Sequence, residues 1–89
     1  MAHVIRAIAF ANGVHCPHAG QWVKSFDHEA HDGRGFATFT KHIEDAMPFA
    51  DFAAAMDFWR RQSAVRPVRP DGKPNRPMTG LTIVVEALP

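Results

Sequence analysis

Apolar and polar residues alternate along several short stretches of this chain, and along one stretch they recur at helical spacing. Residues 4–11 (VIRAIAFA) combine β-branched and aromatic positions and stop at Asn12-Gly13, a strong tight-turn signal, so they read as a strand. Residues 21–27 set Trp22, Lys24 and Phe26 against Val23 and Ser25, a second strand. Residues 35–40 set Phe36, Thr38 and Thr40 against Ala37 and Phe39, a third. Residues 79–87 set Leu81, Ile83 and Val85 against Thr82, Val84 and Glu86, the last strand.

Phe49, Phe52, Ala55 with Met56, and Trp59 fall at i, i+3, i+4, i+7 spacing and predict a helix over residues 51–62. Asp51 at its start and Arg60-Arg61 at its end both suit the helix dipole, and the alanines at 53–55 favour helix. Residues 41–48 read as a connector with one helical turn at 42–46, and residues 14–20 and 28–35 as loops. The expected fold is α+β and two-layer: a small, mostly antiparallel sheet with one helix packed on one face, in the order β-β-β-α-β. If Ile5, Phe36, Phe39 and Val84 divide between the two faces, the uncovered face stays apolar, and a second copy of the chain or another partner could cover it.

Size and composition narrow this further. Eighty-nine residues suit one domain (residues 1–89) with a modest core, and 46% apolar residues argue against disorder. One cysteine, Cys16, allows no internal disulfide, which suits a reducing, cytoplasmic setting. No apolar run reaches the ~18 residues that a membrane span needs. The net charge is only +1, but residues 1–59 carry −3 and residues 60–76 carry +5. A basic segment beside an acidic body marks a candidate site for an anionic partner.

That segment is also where the prolines gather. Residues 66–77 (RPVRPDGKPNRP) hold four of the seven prolines and four of the ten basic residues, so they cannot be helical. Arg66, Arg69, Lys73 and Arg76 would pair with phosphates or carboxylates, but no aromatic residues alternate with them for base stacking, which tilts the reading from nucleic acid toward a protein partner. Two PxxP repeats (67–70 and 74–77) fit polyproline docking. Asp71-Gly72 and Pro74-Asn75 fit consecutive tight turns that aim the last strand. Arg60 and Arg61, at the adjoining helix end, extend the basic surface, and Phe58, off the apolar stripe, either packs under the Pro-rich loop or adds an exposed contact.

A different chemistry is suggested by six histidines in so short a chain. His15, Cys16 and His18 lie in one predicted loop, and His28 and His31 in another, with zinc-like spacing inside each pair. The strand between the two loops would span roughly 23 Å, which carries them to opposite ends. The expectation is therefore no cofactor, with zinc the alternative. No phosphate loop, dinucleotide fingerprint, nucleophile elbow or HExxH motif occurs, and a Cys16–His pair lacks an orienting group, so an enzyme is not expected.

The segment RPDGKPNRPMT (69–79), the segment GQWVKSFDHEA (20–30) and a Thr-x5-Ala-x2-Phe pattern from Thr40 to Phe49 resemble a group of short proteobacterial proteins, some prophage-borne. The resemblance covers most of the chain and implies a small stand-alone bacterial protein with no established activity. It makes Asn75 and Arg76 candidates for a fixed structural or contact role. Together these readings predict a non-enzymatic interaction module that binds a protein, or a nucleic acid, through Phe58, Arg60, Arg61, Arg66, Arg69, Lys73, Asn75 and Arg76.

Overall fold

Each alternating stretch becomes a strand, and the helically spaced stretch becomes the main helix. The computed structural model describes residues 2–88. Strands β1 (His3–Phe10), β2 (Trp22–Asp27), β3 (Phe36–Thr40) and β4 (Leu81–Ala87) form one sheet in the order β3-β2-β1-β4, with every pairing antiparallel. The helix Phe52–Trp59 packs against this sheet, so the domain is α+β. A single 3₁₀ turn at Ile43–Asp45 occupies the connector, and another, Pro77–Gly80, leads into β4.

Register explains which residues meet the helix. Ile5 faces Val85, Ala7 faces Ile83 and Val23 faces Phe39, and residues directly opposite across antiparallel strands share a face. Ile5, Val23, Ala55 of the helix and Met78 form the fully buried centre, with Phe26, Phe39, Phe49, Phe58, Trp59, Ile83 and Val85 packed around it. Strict alternation put Phe26 opposite Val23. A register shift between Val23 and Ser25 corrects this: the bulge adds a residue at Lys24 and returns Phe26 to the core side.

The helix is shorter and rotated relative to its predicted stripe. Asp51 caps it by accepting the Ala54 N–H at 2.7 Å, and it ends at Trp59 rather than at residue 62. Beyond that end, Ser63 N–H donates to Asn75 C=O at 2.9 Å, and this partner competes with another helical turn. Ala55, fully buried, allows close approach to the sheet, and Phe58 and Trp59 follow it at i+3 and i+4. Phe52 lies off this contact line at 55% exposure. Trp59 Nε1–H donates to Leu81 C=O at 3.1 Å, tying the helix end to β4.

The uncovered face divides as expected for Phe36 and Val84, both exposed, but it is not apolar throughout. Arg6 stacks its guanidinium on the Trp22 ring at 4.6 Å and forms an ion pair with Glu86 at 3.2 Å. Trp22 Nε1–H donates to the same carboxylate at 2.8 Å. Ser25 and Thr38 share a hydrogen bond at 2.6 Å on this side. No helix among the described residues is long and apolar enough to cross a membrane.

Candidate functional site

Two loops that are far apart in sequence meet beyond the end of β2. The first is the turn Ala30–Gly33, where the chain runs through left-handed backbone: φ is 53° at His31, 60° at Asp32 and 83° at Gly33. Gly33 is buried, and a Cβ there would sit 2.8 Å from Arg66 Cβ and 2.9 Å from Ser63 Oγ. Only glycine combines that backbone angle with that closeness. At the foot of the turn, Glu29 points its carboxylate across to the second loop. It accepts Ser63 Oγ–H at 2.6 Å and Ala64 N–H at 2.9 Å. The Ser63 hydrogen bond, aided by the Ala64 and Val65 amides and the Arg61 charge, holds the Glu29 carboxyl below its usual range.

His28, one residue before Glu29, is also fixed. Its ring lies edge-on between Phe26 and Phe58, with centroids at 4.8 and 4.7 Å. Nε2 lies 3.0 Å from Phe58 C=O, which can only accept, so Nε2 carries the proton and donates. Burial pushes the imidazolium's pKa down, outweighing the raising effect of the Phe58 carbonyl.

The second loop is the Pro-rich segment, and it is folded on itself. Gly72 N–H donates to Arg69 C=O at 2.9 Å, closing a turn with Pro70 as its second residue. Arg69 N–H donates to Lys73 C=O at 2.8 Å, Val68 bridges Pro74, and Asn75 N–H donates to Pro67 C=O at 2.9 Å. The result is a short hairpin built on the Asp71-Gly72 turn. The two PxxP repeats fall on either side of the reversal, so they do not form one extended polyproline ligand. Asn75 joins the hairpin to the first loop: its side-chain amide donates to Gly33 C=O at 2.7 Å and to Arg66 C=O at 2.9 Å.

Between the two loops lies a cleft of about 270 Å³, with Asp32, Gly33 and Arg34 on one wall and Arg66, Arg69, Pro70 and Asn75 on the other. Arg66 pairs with Asp32 across it, and Arg69 pairs with Asp71 at 2.7 Å. Arg34, Arg61, Lys73 and Arg76 are exposed and have no ion-pair partner among the described residues. The cleft therefore holds one unpaired cation, Arg34, beside two arginines in ion pairs, on a frame in which the Glu29 and Asn75 side chains tie the loops together.

The sequence-predicted contact residues divide. Arg66, Arg69, Lys73 and Arg76 are exposed on the Pro-rich loop, and Arg61 is exposed just beyond the helix end. Arg60 is exposed and engages Asp57 of the helix at 3.3 Å. Phe58 is half-buried against Phe49, with ring centroids 5.2 Å apart, and Asn75 is half-buried on the cleft wall with its side-chain amide donating to Gly33 C=O. Sequence reading passed over Arg34, Asp32 and Glu29. The flanking glycines in Gly33-Arg34-Gly35 were the available signal for Arg34, because they fix where the backbone leaves room beside it.

The His and Cys residues go to separate tasks. Cys16 is buried, His18 stacks on Phe39 at 4.4 Å, His28 is locked under the helix end, and His31 is exposed with its ring 5.7 Å from Phe36. His15 is exposed. Among the described residues, no three His, Cys, Asp or Glu side chains come together as a metal-holding group. Comparison with known proteins adds no identity: no family model, curated protein or solved structure matches the chain.

Proposed function

We propose that this chain is a small, non-enzymatic interaction module whose contact surface is the basic face formed by the Pro-rich hairpin and the turn Ala30–Gly33, and whose partner is an acidic segment of a protein. The observation that carries this reading is the cleft lined by Arg34, Arg66 and Arg69 between two loops that hold each other in place. A loop frame already held in place loses little backbone freedom on binding, which favours a contact role. Protein is favoured over nucleic acid because no aromatic side chain lines the cleft for base stacking. The single, buried thiol suits a reducing cytoplasm.

The test compares two probes by fluorescence anisotropy: a fluorescein-labelled oligoglutamate peptide and a labelled single-stranded oligonucleotide of mixed sequence. The expected result is salt-sensitive binding of the peptide that is lost when Arg34, Arg69, Lys73 and Arg76 are replaced by Gln. Tighter binding of the oligonucleotide would transfer the surface to nucleic acid. Peptide binding that survives the four replacements would remove the loop pair as the site.

A further inference from the structure

Beside the basic cleft lies a second hollow of different character. It has a volume of about 230 Å³, and Phe10, Phe26, Phe39 and Leu81 give it apolar walls. Gly35 forms part of its surface, at φ 88°, and a Cβ there would come within 2.6 Å of the Phe26 ring and 2.9 Å of Pro77 Cβ. The hollow is therefore shaped by a position at which no side chain fits. Its volume is below the ~300–1,000 Å³ of small-molecule pockets and suits one large side chain. Phe10 is 37% exposed at this site.

One residue belongs to both hollows. Arg34 lines the basic cleft and the apolar one, stands between two left-handed glycines, and has no ion-pair partner among the described residues. An occupant of the apolar hollow is thus brought beside an unpaired guanidinium. That charge selects an anionic neighbour, preferably a carboxylate able to take the guanidinium bidentately. Exposed charge pairs alone bind weakly, whereas one buried aromatic or large aliphatic side chain is worth about tenfold or more in affinity.

We propose that the ligand of this surface is an acidic peptide segment carrying one aromatic or large aliphatic residue, with that side chain seated among Phe10, Phe26, Phe39 and Leu81 and an adjacent carboxylate held by Arg34. The proposal rests on the basic-surface reading above and gives its partner a pattern: an apolar anchor with acidic residues on both sides. Arg34 fixes the spacing of anchor and charge, and the cations of the hairpin take the more distant carboxylates.

The experiment uses the full chain and three labelled peptides: acetyl-Glu-Glu-Asp-Phe-Asp-Glu-Glu-amide, the same peptide with Phe→Ser, and the same peptide with every acid replaced by its amide. Anisotropy titrations are expected to show the first binding about tenfold tighter than the second, with the third weakest. Arg34→Gln, an exposed position whose folding is checked by circular dichroism, should weaken the first peptide several-fold, and the Leu81 methyl resonances should shift on binding of the first peptide but not of the Phe→Ser peptide. Equal binding of the Phe and Ser peptides would overturn the anchor while leaving the basic surface standing. Equal binding of the acidic and amide peptides, or no binding of any, would overturn both.

Discussion

Glu29 and Asn75 belong to the same pair of loops as Arg34 and Arg69, yet the two sets are placed in opposite ways. Glu29 and Asn75 are half-buried: Glu29 takes Ser63 and Ala64, 34 and 35 residues away in sequence, and Asn75 takes Gly33, 42 residues away, together with nearby Arg66. Arg34 and Arg69 are exposed, and their only side-chain ion pair among the described residues is the local one between Arg69 and Asp71. The difference shows how a polar, proline-rich segment holds its shape without a core. A few inward polar groups satisfy the backbone of both loops, and the charged residues are left on the outside. An unmade hydrogen bond inside such a contact costs more than an exposed ion pair gains, so stability should depend on the inner set alone.

The largest effect should come from Gly33→Ala. The new Cβ meets Arg66 Cβ at 2.8 Å, which is not the yielding tip of a side chain, and the φ of 83° strains any residue with a Cβ. A loss of about 2–3 kcal/mol is expected, read as a fall of roughly 10–20 °C in the thermal midpoint. An unchanged midpoint would mean that the two loops do not touch as described. Asn75→Ala should follow at about 1–2 kcal/mol, because it strips donors from the carbonyls of Gly33 and Arg66. Chemical denaturation reads both, and a negligible Asn75 effect would move the inner set to Glu29 alone.

Much of the fold was legible because strand alternation and helical spacing are local patterns. Leu81, Ile83 and Val85 on one side of β4, and Asp51 at the helix start, stand as the sequence implied. The bulge in β2 was not legible: one extra residue leaves no local trace, and only the partner strand reveals it. Phe58 replaced Phe52 at the helix–sheet contact because a two-turn stripe is too short to fix its own rotation to within one residue. The site was half legible. The Asp71-Gly72 turn and the basic residues of the hairpin could be read directly, but the pairing of Glu29 with Ser63, across 34 residues, could not. Met78, fully buried, and His28 were hidden for the same reason, since both are polar-loop neighbours by sequence and core neighbours in space.

Acid should weaken the fold in two steps. His28 is held neutral by burial, so the unfolded chain takes up that proton first. Stability should be level above the ordinary His value of about 6.5, fall as the pH drops below it, and stop falling once folded His28 protonates. Glu29 is depressed, so its contribution is present above the ordinary carboxylate value and is lost as the pH falls through that value and then through the lower folded one. Urea melts across this range should show both limbs. Glu29→Gln should flatten the lower limb and His28→Gln the upper, whatever each does to the absolute height. A single limb that survives both changes would assign acid sensitivity to other carboxylates.

The smallest effect on stability, and the sharpest test of the comparison, should come from replacing Arg34 and Arg69 together with Gln. Arg34 holds no ion pair among the described residues, and Arg69 pairs only with exposed Asp71, whose other oxygen still accepts Lys73 N–H at 3.0 Å. Exposed pairs of this kind are worth about 0–1 kcal/mol, so the thermal midpoint should move by no more than a few degrees. If the double replacement instead destabilises as much as Asn75→Ala, the outer cations hold the loops together and are no longer free for a partner. If the midpoint stays put, the two arginines add nothing to folding and remain free for the anionic partner proposed above.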